Sequence, residues 1–238
     1  QALEVLPGDL SEPRFGLDET AWRDLAERVD AIVHPAALVN HVLSYQQLFG
    51  PNVAGTAELI RLALAHRLKP FTFVSTMAAA YGPAGLIAED ADVRQATPAR
   101  DVAGDGYAAG YANSKWAAEV LLREANAHFG LPVHVFRSDM ILPHTRWRGQ
   151  INASDMFTRW LLSVVATGLA PASFYAGAGA GHYEGLPVDF VARAIGDLAA
   201  RAGSDWRTFH VLNPHDDGVS LDSFVDWAMA QGHAIDRI

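Results

Sequence analysis

Short apolar runs alternate along the chain with longer segments whose apolar positions recur every three or four residues, an order that predicts strands separated by helices. Leu3 to Leu6 reads as a strand ending at Pro7-Gly8-Asp9, and Thr20 to Val29 as an amphipathic helix with Trp22, Leu25 and Val29 on one face. Ala31 to Val33 predicts the next strand. Tyr45 to Leu68 is a long helical pattern, interrupted near Gly50-Pro51, whose apolar face carries Val53, Leu59, Leu62 and Leu64. Phe71 to Ser75 predicts a strand and Gly82 to about Gly106 a polar loop. A helix over Ala112 to His128 then leads to a strand at Val133 to Phe136.

Beyond residue 145 the alternation loosens. The pattern predicts a helix near Asp155 to Thr167, a Gly/Ala-rich loop at 176–181 and a helix over Pro187 to Ala202. A strand at Phe209 to Leu212 and a helix over Leu221 to Gln231 follow. The whole predicts an α/β fold, a Rossmann-like doubly wound parallel sheet over 1–145, with a smaller region over 146–238 from which one or more elements return to the sheet. No internal repeat is evident.

Composition narrows the class. At 238 residues, half of them hydrophobic, the chain suits one sizeable domain, or one with a small appendage. A net charge of -9 and no run of Lys and Arg argue against sequence-independent binding to nucleic acid, which needs a basic face. With no cysteine, disulfides, thiolate metal sites and cysteine nucleophiles are excluded, and a reducing, cytoplasmic setting fits. The most apolar stretch, Trp160 to Ala170, is broken by Ser163 and Thr167 and is too short to span a bilayer, so no membrane partner is expected. Ten histidines show no metal-ligand spacing such as HExxH, and no metal is expected.

The residues that point to chemistry are Tyr111-Ala-Asn-Ser-Lys115. A Tyr and a Lys four apart near a helix start lie on one face and can act on one substrate oxygen. Hydride delivered to a carbonyl carbon leaves charge on oxygen, which Tyr111 would neutralise as an acid; the charge of Lys115 would lower the phenol's pKa by favouring phenolate. Phe73-Val74-Ser75-Thr76 ends a strand upstream, and ligands in open α/β sheets sit at the carboxyl ends of the strands. Thr76 would hold the carbonyl by a hydrogen bond. Taken singly, each residue also has a plain reading: Lys115 as a solvated helix residue, Ser75 or Thr76 as a strand-end cap, Asp9 as a turn residue, Asn52 as an N-cap after Pro51, and Asp155 as a first-turn carboxylate on a helix dipole.

Together with His34-Pro-Ala-Ala-Leu-Val-Asn-His41 and Asn52-Val-Ala-Gly-Thr56, the strand-end Ser-Thr and the Tyr-x-x-x-Lys helix resemble an extended short-chain dehydrogenase/reductase. More narrowly, the chain is similar to the terminal thioester reductase domain of carboxylic acid reductases and related carrier-linked synthetases. Arg137-Ser-Asp-Met-Ile141, Gly149-Gln-Ile-Asn152 leading to Asp155-Met-Phe-Thr-Arg159, and Asn213-Pro-His-Asp-Asp-Gly218 carry that closer likeness, which runs almost end to end.

The resemblance implies a catalytic triad of Thr76, Tyr111 and Lys115 and reduction of an acyl thioester to an aldehyde by NADPH. The acyl group would ride on phosphopantetheine of an acyl (peptidyl) carrier domain on the same polypeptide. It implies that residues 1–145 bind cofactor and catalyse, and that 146–238 bind substrate. Asp9 with Leu10 would lie at the adenine, Ala36, Ala37 and Leu38 along the pyrophosphate and ribose, and Asn52, Ser75, Tyr111 and Lys115 complete the cofactor contacts. Asp155 and Ser138 fall on the substrate side. A sugar-nucleotide epimerase or dehydratase shares the triad and is the alternative enzyme; a non-catalytic dinucleotide sensor is the alternative outside catalysis. The chain departs from the family in lacking a strand followed by Gly-x-x-Gly-x-x-Gly, so a first βαβ portion and further C-terminal helices are expected outside it, and the preference for NADPH over NADH rests on the family alone.

Overall fold

A computed structural model describes residues 3–82, 85–96, 108–149, 152–176, 185–213 and 219–238. Residues 97–106 of the expected polar loop, 177–181 of the expected Gly/Ala-rich loop, Gln150, Ile151 and 214–218 lie outside them. Two compact units divide the chain: Gln1–Ser138 with Ala194–Val211, and Asp139–Arg193 with Leu212–Ile238.

In the first unit, α1 (Glu19–Arg28) starts where the Asp18 carboxylate accepts the Ala21 N–H, and leads to β1 (Ile32–His34). The predicted long helix is three pieces: α2 (Tyr45–Leu48), a π-helical stretch (Phe49–Ala54) and α3 (Gly55–Leu64). Pro51 has no N–H to give to a regular helix, and the widened turn closes with Gly55 N–H on the Gly50 carbonyl. β2 (Phe71–Thr76) follows, then a 3-10 turn (Met77–Ala80) and the short antiparallel pair β3 (Tyr81–Gly82) and β4 (Gly85–Leu86). After α4 (Val93–Ala96), the long helix α5 (Ala109–Phe129) leads into β5 (Val133–Ser138).

Next in the chain come β6 (Met140–Leu142), α6 (Met156–Thr167), β7 (Leu169–Ala170), β8 (Gly185–Pro187), α7 (Val188–Arg201), β9 (Arg207–Val211), α8 (Leu221–Ala230) and β10 (Asp236–Arg237). The main sheet has the order β1-β2-β5-β9, parallel throughout. All six residues of β5 are buried, as befits a central strand paired on both edges, although three of them, His134, Arg137 and Ser138, are polar. Its core joins Phe71, Phe73, Val133 and Val135 of the sheet to Leu62 and Ala63 of α3 and Ala118 and Leu122 of α5. Burying these side chains supplies the main drive to fold.

Three expectations are corrected. Leu3 to Leu6 forms no strand; Leu3 and Val5 are 89% and 78% exposed, and the segment has no ladder partner among the described residues. β9 begins at Arg207, not Phe209, because its backbone pairs from His134 onward whatever the hydropathy of Arg207 and Thr208. The second unit contains two parallel pairs that the pattern does not announce, β6 with β8 and β7 with β10, each too short for a period-two signal. That unit's core is Val164, Ala170, Val225, Ala228 and Ile235, with Trp160 and Phe174 packed against it.

Candidate active site

The site grows from the start of α5. Ala108 precedes it in the left-handed region, at φ 59°, and gives its N–H to the His41 carbonyl at 3.0 Å. Gly110 then lies so close to the 43–45 backbone that an added Cβ would meet the Leu43 carbonyl oxygen at 2.2 Å. Only a glycine allows that approach, and it sets the helix face carrying Tyr111 and Lys115. The His41 and Tyr111 rings meet edge to face at 6.0 Å.

Lys115 is 2% exposed, and its ammonium nitrogen sits 4.0 Å from the centre of the Phe73 ring on β2. Burial drives its pKa down to about 7, against an opposing pull from Glu119. The Tyr111 phenol is pushed up to about 12 by burial. The phenol is thus shifted upward, not downward as expected from Lys115: burial acts on both groups toward their neutral forms.

A second set of contacts fixes the backbone under Tyr111. Asn52, 2% exposed on the π-helical stretch, accepts the Leu38 N–H at 2.8 Å and donates to the Leu38 carbonyl at 3.2 Å and to Ser114 Oγ at 2.9 Å. Ser114 in turn donates to the Tyr111 carbonyl at 2.8 Å. One amide thereby ties the loop after β1 to the helix of the Tyr/Lys pair. Thr56 gives its proton to the Asn52 carbonyl at 2.7 Å, so the His34 Nε2 at 3.2 Å from Thr56 Oγ1 is the donor of that contact. Burial first, and the Lys115 charge second, hold the His34 pKa down to about 3, so the ring is neutral near pH 7 and carries its proton on Nε2.

At the strand ends, Thr76 Oγ1 accepts the Ala78 N–H at 3.3 Å, which uses a lone pair and leaves its proton for another acceptor. Its register partner on β5 is Ser138, so the two side chains leave the sheet on the same side. The Ser138 hydroxyl is buried with no hydrogen-bond partner among the described residues, an orphan that an incoming polar group would satisfy. Ser75 turns the other way: its hydroxyl donates to Glu119 Oε1 at 2.5 Å.

Of the remaining sequence-predicted residues, Ala36, Ala37 and Leu38 form the irregular loop leaving the carboxyl end of β1, with Ala36 and Leu38 exposed. Asp9 is exposed and accepts the Ser11 N–H at 2.8 Å, while Leu10 packs on the core beside Gly55. Asp155 caps α6 by accepting the Thr158 N–H at 3.0 Å; it belongs to the second unit. Sequence reasoning missed Glu119, Ser114, Thr56 and Gly110 as parts of the site. Glu119 was within reach of it, since it falls one helical turn past Lys115 on the same face. Among the described residues no group of three His, Asp or Glu side chains could hold a metal ion, and no helix is long and apolar enough to cross a membrane.

A buried Tyr-x-x-x-Lys helix laid against the second strand of a parallel doubly wound sheet defines an extended short-chain dehydrogenase/reductase. Comparison with known proteins narrows that class. The chain belongs to the family described as Male sterility protein, an NAD-binding family whose pattern matches residues 1–195. The carboxylic acid reductase of Mycobacterium marinum is 56% identical over 242 residues, which take in 99% of this chain and 20% of that protein. The reductase domain of a nonribosomal peptide synthetase from Mycobacterium tuberculosis superposes with a TM-score of 0.84 at 51% identity, covering 97% of this chain and 56% of that one. The dTDP-glucose 4,6-dehydratase of Bacillus anthracis, 17% identical with a TM-score of 0.63 over 97% of this chain and 66% of that one, shares the fold alone. The chain thus spans about a fifth of the curated carboxylic acid reductase, whose alignment covers 20% of its length.

Proposed function

We propose that the protein containing this chain reduces a carrier-bound acyl thioester to an aldehyde with NADPH, releasing the carrier's phosphopantetheine thiol. The observation that carries the reading is the pair of half-buried Tyr111 and buried Lys115, tied by Asn52 to the loop after β1, in a chain 56% identical to a carboxylic acid reductase. The 17% identity to a sugar-nucleotide dehydratase supports that alternative far less. A non-catalytic sensor would have no use for the Tyr111/Lys115 pair.

The residues present fit a dinucleotide. Small side chains after β1 permit close approach of backbone to a pyrophosphate at the carboxyl edge of the parallel sheet, where ligands of such sheets sit. Asp9 and Leu10 would hold the adenine end, Ala36 to Leu38 the pyrophosphate and ribose, and Asn52, Ser75, Tyr111 and Lys115 the rest, Ser75 acting through its backbone because its hydroxyl is committed to Glu119. The bound nicotinamide supplies hydride to the thioester carbonyl carbon. Thr76 donates a hydrogen bond that orients the carbonyl oxygen, and Tyr111 Oη delivers the proton that neutralises the charge arising there. In the resulting thiohemiacetal the Tyr111 phenolate takes the hydroxyl proton back as the C–S bond breaks, giving the aldehyde and a thiolate that is protonated from solvent. Lys115 stabilises the resulting phenolate and contacts the ribose. Residues 1–145 bind cofactor and catalyse, and 146–238, apart from the 194–211 stretch that belongs to the first unit, serve the substrate. A cytoplasmic setting supplies the NADPH, and the polypeptide itself the carrier domain.

The test is NADPH consumption with aldehyde detection, using an acyl-pantetheine thioester and the full-length polypeptide that contains this chain. Aldehyde formed in step with NADPH loss is expected, and Tyr111→Phe should lower turnover by about 10²–10⁴ while leaving NADPH affinity nearly intact. NADPH binding without turnover across several thioesters would overturn the reading.

A further inference from the structure

Glu119 and Arg137 are 0% and 1% exposed, and they form an ion pair at 2.7 Å in the middle of the first unit. Arg137 Nε lies 3.2 Å from each oxygen of the carboxylate, so the contact is forked. Ser75 Oγ donates to the same carboxylate, and the free arm of Arg137 meets His210 Nε2 at 3.2 Å. Helix α5, strand β2 and strand β5 therefore converge on one acid. A buried ion pair is a poor device for stability, since well-packed apolar side chains of similar size serve as well or better. Its placement asks for another explanation.

The explanation lies one helical turn away. Lys115 precedes Glu119 by four residues on the same face of α5, with its ammonium on the Phe73 ring. The charged or titratable groups tied to Lys115 are Glu119 from its own helix and His34 from β1; Glu119 is held by Arg137 of β5, behind which stand His210 of β9 and Glu89, which accepts the His210 N–H. The π-helical stretch and α3 present only the uncharged Asn52 and Thr56. Of these groups, Glu119 is the one that favours the charged form of Lys115, while burial opposes it and Arg137 is not among the influences.

We propose that Glu119 is a positioning residue for the reduction: locked by Arg137 and Ser75, its carboxylate seats α5 against the ends of β2 and β5 and supplies the negative charge that holds the proton on Lys115. The kinetic side of this inference rests on the reductase reading; the titration of Lys115 does not. The charge state matters because a protonated Lys115 is what stabilises the phenolate left at Tyr111.

With ¹³C at lysine Cε in the full-length polypeptide that contains this chain, the resonance lost in Lys115→Met is that of Lys115. Its midpoint is read in the wild type and in Glu119→Gln, Glu119→Asp and Glu119→Gln/Arg137→Met. The double variant removes both members of the Glu119–Arg137 pair and so leaves neither of them unpaired, and it decides the question should Glu119→Gln fail to fold. The midpoint is expected to fall by about one unit, a tenfold loss of proton affinity, in the double variant and to lie nearer wild type in Glu119→Asp. The alkaline limb of kcat/KM for thioester reduction should move down with it in the full-length polypeptide. An unmoved Lys115 midpoint in the folded double variant would overturn the proposal. A wild type that reduces no thioester would overturn the reductase reading and leave the titration to judge Glu119 by itself.

Discussion

Gly110→Ala sets two known effects against each other. In the first turns of a helix the change from Gly to Ala ordinarily stabilises by about 1 kcal/mol. Here the new Cβ would stand 2.2 Å from the Leu43 carbonyl oxygen, 2.8 Å from the Ser44 carbonyl carbon and 2.9 Å from the Tyr45 nitrogen. All three are backbone atoms, so no side chain can rotate away, and α5 must back off from the 43–45 segment. Overpacking of this kind costs about 1–3 kcal/mol, occasionally more, and with three atoms inside 3.0 Å the upper end applies. The net expectation is a loss of about 2 kcal/mol, or a fall in Tm of about 4–8 °C for a chain of this size. Gly196 on α7 is the control, because nothing lies within 4 Å of its added Cβ and Gly196→Ala should stabilise. Calorimetry on both variants reads the difference in sign. A Gly110→Ala protein as stable as wild type, or one that moves in the same direction as Gly196→Ala, would refute the claim that this glycine is required by close approach. Because Tyr111 is the next residue, the surviving folded fraction should also lose turnover.

Three further expectations follow from the same geometry. Lys115, with its pKa lowered to about 7 from 10.5, binds its proton less readily in the folded than in the unfolded chain, so its contribution to stability rises between about pH 7 and 10.5; Lys115→Met should be the more stable protein below pH 7, by a lead that shrinks as pH rises in urea titrations, while losing turnover. His34, with its pKa held down to about 3, stabilises the fold fully above pH 6.5 and progressively less as pH falls toward 3; its ring signals in NMR should stay constant from about pH 8 to about pH 5, and a midpoint above 6 would refute its burial as the neutral donor to Thr56. Asn52→Ala removes bonds to Leu38 and Ser114 together, and should cost about 1–3 kcal/mol in urea unfolding and raise the KM for NADPH more than it lowers kcat; the reverse split would refute its role in the loop after β1.

Much of the fold was legible along the chain because the cues were local. Asp18, Asp155 and Ser220 each cap a helix that periodicity also marks, so α1, α6 and α8 lie within a residue or two of their expected starts. β2 and β5 are apolar runs bounded by loops, and the structure lengthens them by one and two residues toward the site. The π-helical stretch was only half legible: Gly50-Pro51 announced an interruption, but whether the chain would break or widen there depends on Asn52 finding Leu38 and Ser114 inside. The Leu3 to Leu6 expectation failed for the converse reason, since an apolar run becomes a strand only when another strand offers its backbone.

What the sequence by itself determined is the spacing of Tyr111, Lys115 and Glu119 on one helical face, the caps and breaks of the helices, and the family likeness that joins them to the Thr76 strand. Only the tertiary structure decided how those residues behave. Burial sets the protons of Tyr111, Lys115 and His34, and it depends on segments far away in the chain that happen to cover them. The forked contact of Arg137 with Glu119 and the close pass of Gly110 over Leu43 arise the same way, between positions 18 and 67 residues apart in the sequence, and no local rule relates them.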